Sequence, residues 1–273
     1  MKRFALVATV LVVFLTLTTY GDSNNGFSVA NGAEIKKKDI SIACAETTQA
    51  LVAAVVPVMA KKGYNVTYQI FDNNVNTLFA VNDGSLDALM LVHKPFMKIF
   101  NDRNKGDLVM IEPHMFAVGM GLFSERYSSI DNLPEKASIA IMNDSMNMDR
   151  GLRILEDAGL ISIDPSKKTA TLIDISENPK HFKFVEMDQT QTVRSLQDMD
   201  AAIAFFSHMK NANKDFNTYL LKDNRTDRYP QGVIVKAENA QAQWAHDLVE
   251  AFRSEAIRAF AYEHYGGLYE YFD

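Results

Sequence analysis

The sequence predicts an α/β protein of two lobes, each a mostly parallel sheet flanked by helices, with a ligand cleft between them. Three observations carry that expectation. Strand-like and helix-like patterns alternate as β-α-β-α-β over residues 39–92, the same order recurs over 138–206, and a long amphipathic segment closes the chain. Such alternation places helices on the faces of a parallel sheet, and its recurrence implies two units of one kind. A length of 273 residues, 47% of them apolar, suffices for two modest cores.

In the first unit, 39–45 reads as a short strand. Residues 48–62 read as a helix, with Leu51, Val52, Val55, Val58 and Met59 at helical spacing and Lys61-Lys62-Gly63 as its stop. Residues 66–71 alternate as a strand does, and 74–82 are helical up to Asp83-Gly84. The continuous apolar run 88–92 suits a strand covered on both faces. In the second unit, 138–142 is a strand and 147–158 a helix ending at Gly159; 182–186 is a strand, 191–197 a helix and 201–206 another buried strand. Residues 243–264 read as one amphipathic helix through Trp244, Leu248, Phe252, Ile257 and Phe260. If this helix returns to the first lobe, the chain crosses twice and makes a hinge. The expected boundaries are 34–117 plus 234–273 for the first lobe and 118–233 for the second.

Residues 1–33 read as an address and linker rather than as fold. Lys2 and Arg3 precede an apolar run over 4–17, shorter than the roughly 20 residues that span a bilayer as a helix. Export to the periplasm or the outer face of the cytoplasmic membrane follows. Leu17-Thr18-Thr19-Tyr20-Gly21 is similar to a bacterial lipobox, but Tyr20 stands where the lipid-bearing Cys would be. A phenol forms no thioether, so lipidation is not expected. The segment is either cut elsewhere, for instance after Ala33, or retained as an anchor. Cys44 is the only cysteine, which excludes a disulfide framework, and Ile42-Ala43-Cys44-Ala45 places it as a small buried residue at a strand end.

Charge is near balance, with 28 basic and 34 acidic residues and no basic run beyond 36–38, so no nucleic-acid partner is expected. The six histidines show no ligand spacing, and HExxH, CxxC, GxSxG and P-loop patterns are absent. No metal, cofactor or catalytic role is expected. Two stretches are placed to bind. Residues 87–96 carry a strand into a turn at His93, and 143–150 link a strand to a helix with Asn147 near its start. Open α/β sheets bind ligands outside the carboxyl ends of their strands, where both stretches lie. Arg150 has the fork to clamp a carboxylate, with helix N-terminal donors beside it. Otherwise an arginine in a first helical turn is a solvated charge.

The mature region resembles the NlpA/MetQ family of methionine-importer binding proteins. Besides those two stretches, the resemblance rests on Glu112-Pro113, Gly121-Leu122-Phe123-Ser124, Tyr127-Ser128-Ser129-Ile130-Asp131-Asn132-Leu133-Pro134, Ala158-Gly159-Leu160-Ile161, Asp174-Ile175-Ser176-Glu177-Asn178-Pro179-Lys180 and Asp200-Ala201-Ala202. It implies a periplasmic-binding-protein fold that closes by hinge motion over methionine or a related small amino-acid-like ligand. The partner would be the membrane permease of an ABC importer; an envelope sensor binding the same ligand is the alternative. It also implies pocket roles for His93, Asn147 and Arg150. The chain departs from the family where an aromatic pair and Gln give way to Met90-Leu91-Val92. Phe205 and Ser207 stand at two family amide positions, and Gln231 stands where the family has Asn. Phe205 and Met90 are expected to line the pocket, although strand alternation turns only half of such residues toward it. Because amides that grip an amino acid are changed, a short methionyl peptide or derivative is an expected alternative to free methionine.

Overall fold

The structure, a computed structural model, describes residues 37–90 and 92–272. The expectations for the leader, for Tyr20 and for Leu91 lie outside the described residues. Strand β1 (Asp39–Cys44) leads into α1 (Glu46–Lys61), β2 (Asn65–Ile70), α2 (Asn74–Asn82) and β3 (Ala88–Met90). Helix α3 (Lys94–Asn104), which the sequence pattern did not predict, starts at once, and the Nδ1 of His93 caps it by accepting the Phe96 N–H at 3.2 Å. Next come β4 (Leu108–Met110), β5 (Phe116–Val118), β6 (Met120–Phe123), β7 (Ser138–Met142) and α4 (Ser145–Asp157). After the small pair β8 (Ser162–Ile163) and β9 (Ile175–Glu177) follow β10 (Lys183–Met187), β11 (Ala201–Phe205), α5 (Phe206–Asn211) and β12 (Leu221–Lys222). The chain closes with β13 (Ile234–Lys236), α6 (Gln243–Arg253), α7 (Glu255–Tyr265) and β14 (Tyr269–Tyr271).

Two five-stranded sheets result, ordered β2-β1-β3-β13-β4 and β10-β7-β11-β6-β12. In both, the first three strands are parallel and the fourth is antiparallel to its two neighbours. One local device recurs as well. Asp87, just before β3, accepts the N–H and Oγ–H of Ser41 on β1, both at 2.9 Å. Asp200, just before β11, accepts the same groups of Ser138 on β7, both at 2.8 Å. A carboxylate that ties the starts of two parallel strands pins their register, which a one-residue slip would invert. The sheets thus repeat one plan, and the fold is two-lobed.

Alternation sorts the side chains of the first sheet. Ile40, Ile42, Cys44, Ala88 and Met90 join the core that includes α1, while Ala43 and Leu89 join Leu78, Met97 and Phe100 of α2 and α3. Burial pushes the Cys44 thiol up to about 11, so it stays a protonated core residue. Helices α6 and α7 pack on α1; the Tyr64 hydroxyl donates to Asp247 at 2.6 Å and Lys62 pairs with Glu250 at 2.8 Å. The long helix expected over 243–264 is two helices, because Ser254 takes the extended values φ −58°, ψ 148°. Of the helix expected over 191–197, only a 3-10 turn at Arg194–Gln197 forms. Phe206 leaves the expected strand to begin α5. Among the described residues no helix is long and apolar enough to cross a membrane.

Leu248 on α6 is fully buried in the core shared with α1. Leu248→Ala is expected to lower the unfolding free energy by about 2–5 kcal/mol, read as a lower urea midpoint at unchanged slope. A loss below about 0.5 kcal/mol would mean that α6 is not part of the cooperative core.

Candidate functional site

A cavity of about 580 Å³ is lined by residues of both sheets, within the roughly 300–1,000 Å³ common for small-molecule sites. Most of its walls follow the carboxyl ends of parallel strands: 45–48 after β1, 71–74 after β2, Val92, His93 and Phe96 after β3, Asn147 after β7, 188–194 after β10, and Phe205, Ser207 and His208 at the end of β11. That placement is the general rule for open α/β sheets.

His93 and Asn147, 4% and 1% exposed, meet across the cleft, with His93 Nε2 3.1 Å from Asn147 Oδ1. Since Nδ1 accepts the Phe96 N–H, the proton is on Nε2, which donates to Asn147. Asp144 sets the Asn147 amide by accepting its backbone N–H and its Nδ2–H, both at 2.9 Å. Burial, reinforced by the Arg150 cation, pushes His93 down to about 3, so the ring is neutral at ordinary pH.

Arg150 is buried to 1% exposure. Its Nε donates to Asp223 at 2.6 Å and its Nη2 to the Val118 carbonyl at 2.9 Å, while Nη1 has no partner among the described residues. The guanidinium carbon lies 4.1 Å from the centre of the Tyr229 ring and 5.5 Å from that of Phe205. Burial pulls its pKa down and Asp223 opposes the fall; a guanidinium stays charged regardless. The chain therefore supplies one carboxylate to this arginine itself. Arg150 is not a wall residue of the cavity but touches two that are, Val118 and Phe205.

Gln231 is nine-tenths buried and its backbone bridges both His93 and Phe116. Gln231 lines the cavity, and its side-chain amide enters no hydrogen bond among the described residues. Phe205 and Ser207 line the cavity as well. Met90, expected there, lies in the core instead: it is fully buried, and only its carbonyl, which accepts from Thr48 Oγ1 at 3.0 Å, faces that side. Alternation turns Met90 the same way as Ile42 and Cys44, into the core, whereas Val92 lines the cavity.

Several contributors were missed by sequence reasoning. Tyr229 contacts Arg150 on one side and the His93 ring, 5.1 Å away, on the other. Asn74 donates to Gln189 at 3.4 Å, a second contact across the cleft, here between the segments that follow β2 and β10. Tyr269 on β14 reaches the cavity and donates to the Thr47 carbonyl at 3.1 Å. Only Asp144 carried a readable signal, as a helix-capping residue three before Asn147.

A family model described as NlpA lipoprotein matches residues 40–270. The chain is similar to the methionine-binding lipoprotein MetQ of Bacillus subtilis (strain 168), with 25% identity over 98% of this chain and 97% of that protein. Among solved structures it is similar to an ABC transporter periplasmic substrate-binding protein from Coxiella burnetii, with TM-score 0.81, 28% identity, and 85% and 100% of the two chains covered. It is also similar to a nutrient binding protein from Burkholderia cenocepacia bound to methionine, with TM-score 0.80, 27% identity, and 85% and 99% covered.

The buried neutral His93 makes stability depend on pH. Its pKa is about 3 folded against an ordinary 6.5, so between those values the unfolded chain binds more protons. Stability from this group is complete above pH 6.5 and is lost as pH falls toward 3. His93→Gln, which keeps a donor for Asn147, is expected to flatten that loss in denaturant titrations across the window. Equal slopes in both proteins would show that His93 is not held neutral.

Proposed function

The chain belongs to the NlpA lipoprotein family, and we propose that it is the exported solute-binding component of an ABC importer. In this reading it captures methionine or a close relative between its lobes and presents it to the membrane permease. The observation that carries the reading is Arg150 Nη1, a buried cationic N–H without an acceptor among the described residues. Leaving such a donor unmet costs about 1–3 kcal/mol or more, and a ligand carboxylate drawn toward it as the lobes move removes that cost. His93, Asn147 and Gln231 offer the polar partners, and Val92, Phe96 and Phe205 an apolar wall. The moving bodies are 34–117 plus 234–273 and 118–233, with Val118 and Gln231 near their junctions. The methionine-bound Burkholderia relative supports the ligand class. The role in this reading is binding without turnover, and the His93 ring is held for orientation, both its nitrogens being committed, to Phe96 and Asn147.

Arg150→Lys keeps a cation facing Asp223 but loses the fork. Calorimetry with methionine is expected to show affinity about 10–100-fold weaker. Undiminished affinity in the folded variant would remove Arg150 from the site. Arg150→Ala is less informative, since stranding Asp223 costs about 3–5 kcal/mol of stability.

Localisation follows the leader, with no acyl chain on Tyr20. Metabolic labelling with a fatty acid is expected to leave the protein unlabelled, and Tyr20→Cys to create labelling. Label on the unaltered chain would overturn this.

A further inference from the structure

We propose that a basic pocket beside α4 and Tyr229, separate from the cleft, binds a doubly charged phosphate group, as inorganic phosphate or a small phosphomonoester. The inference is independent of the importer reading, since it uses none of the side chains offered to the ligand there. The pocket is a second cavity, of about 350 Å³. A phosphate ion, at roughly 30 Å³ for each non-hydrogen atom, takes less than half of it and leaves room for a small ester group.

Helical spacing builds the first wall. Met146, Asp149 and Arg153 stand three and four residues apart on α4 and line this pocket, while Asn147 lines the cleft. One helix thus serves both cavities on adjacent faces. The second wall is the segment that carries Lys168. It is held on α4 at both sides of that residue: Arg153 Nη2 donates to the Lys167 carbonyl at 3.0 Å, and the Ala170 N–H donates to Asp149 at 2.8 Å. The third wall comes from the 3-10 turn Thr226–Arg228 and its flanks, Arg225 and Tyr229. Asp223 fixes that turn, for one of its oxygens accepts the Arg225 N–H at 2.8 Å and the other pairs with Arg150.

Charge decides the ligand. Arg153, Lys168, Arg225 and Arg228 line the pocket against the single carboxylate of Asp149. That carboxylate is occupied, by the Ala170 N–H and by Arg153 Nε at 3.3 Å. Arg153 is paired further with Glu156, and Arg225 with Asp157. Lys168 and Arg228 enter no ion pair among the described residues, which leaves two positive charges to be matched. The excess is local, because the chain as a whole carries a formal charge of −6 and repels anions. Two unmatched cations favour a dianion over a single charge, and guanidinium forks fit phosphate oxygens in pairs. A lipid phosphodiester carries only one negative charge, so the match is to a soluble phosphate. Tyr229, 8% exposed, adds a donor, since its hydroxyl enters no hydrogen bond among the described residues.

Calorimetry on the full chain in chloride buffer at about pH 8, where phosphate is mostly a dianion, would titrate inorganic phosphate, glycerol phosphate and phosphatidylglycerol vesicles. Saturable binding of one or both soluble phosphates is expected, the tighter of the two naming the source. Lys168→Gln/Arg228→Gln is expected to weaken it about tenfold, and Tyr229→Phe about threefold. Lys61→Gln/Lys183→Gln removes the same charge from exposed positions outside the pocket and is expected to change affinity less than about twofold. Lys168 and Arg228 are exposed, so their replacement is expected to leave the urea midpoint in place, and lost binding is then not lost fold. No heat with either soluble phosphate, equal losses in the two double variants, or binding to the vesicles alone would overturn the site.

Discussion

The ion pair of Arg150 and Asp223, with side chains 1% and 3% exposed, is the contact on which the rest of the cleft depends. Through it α4 is tied to the segment leading back to the first sheet, and through the Val118 carbonyl to the segment leading away from it. One side chain thus references both chain crossings. Such a pair is a weak source of stability, because desolvating two ions costs about what their attraction returns. Its effect lies in geometry, since a planar fork with two donors engaged has one orientation left. Tyr229 covers that fork and touches His93, so the position of the cation is felt in the first lobe by direct packing.

A second chain of contacts runs the other way across the cleft. Asp144 holds Asn147, Asn147 accepts from His93, and His93 accepts from the first turn of α3. Each member spends one atom to orient itself and another to orient the next. Exposed ion pairs such as Lys222 with Glu270 contribute at most about 1 kcal/mol and fix little. The Asp144–Asn147–His93 series pre-orders groups that line the cavity, which lowers the entropy lost when a ligand binds there.

How much of this could be read in advance follows from range. The repeated sheets were legible because their signals are local: apolar runs of strand length, glycine and lysine stops, and the pairs Asp87-Ala88 and Asp200-Ala201 at strand starts. Helix α3 was hidden because only Met97 and Phe100 are buried along it, too few to show a period. The break at Ser254 has no glycine or proline to announce it; it answers a tertiary demand, the packing of both α6 and α7 on α1. In the site, the positions just past strand ends were legible. Face was not: assigning Met90 requires knowing on which side α1 lies. Asp223 sits 73 residues from Arg150, and no periodicity in the sequence links the two.

The same division explains how such a site changes its ligand without changing its fold. Asp87 and Asp200 pin strand register, and replacing either releases two buried or half-buried donors at once. Ser207 and Gln231 lie past the strand ends, where the side chain faces the cavity and carries little of either core. Phe205 differs, for its ring lies near Arg150 and against His208, 5.7 Å away. An amide there would exchange an apolar lid on the guanidinium for a polar contact, altering the field at Nη1 as well as the shape of the wall. In the proposed reading, residue 205 is therefore where a change of ligand and a change in the strength of the cationic anchor are coupled, whereas 207 and 231 tune the ligand alone.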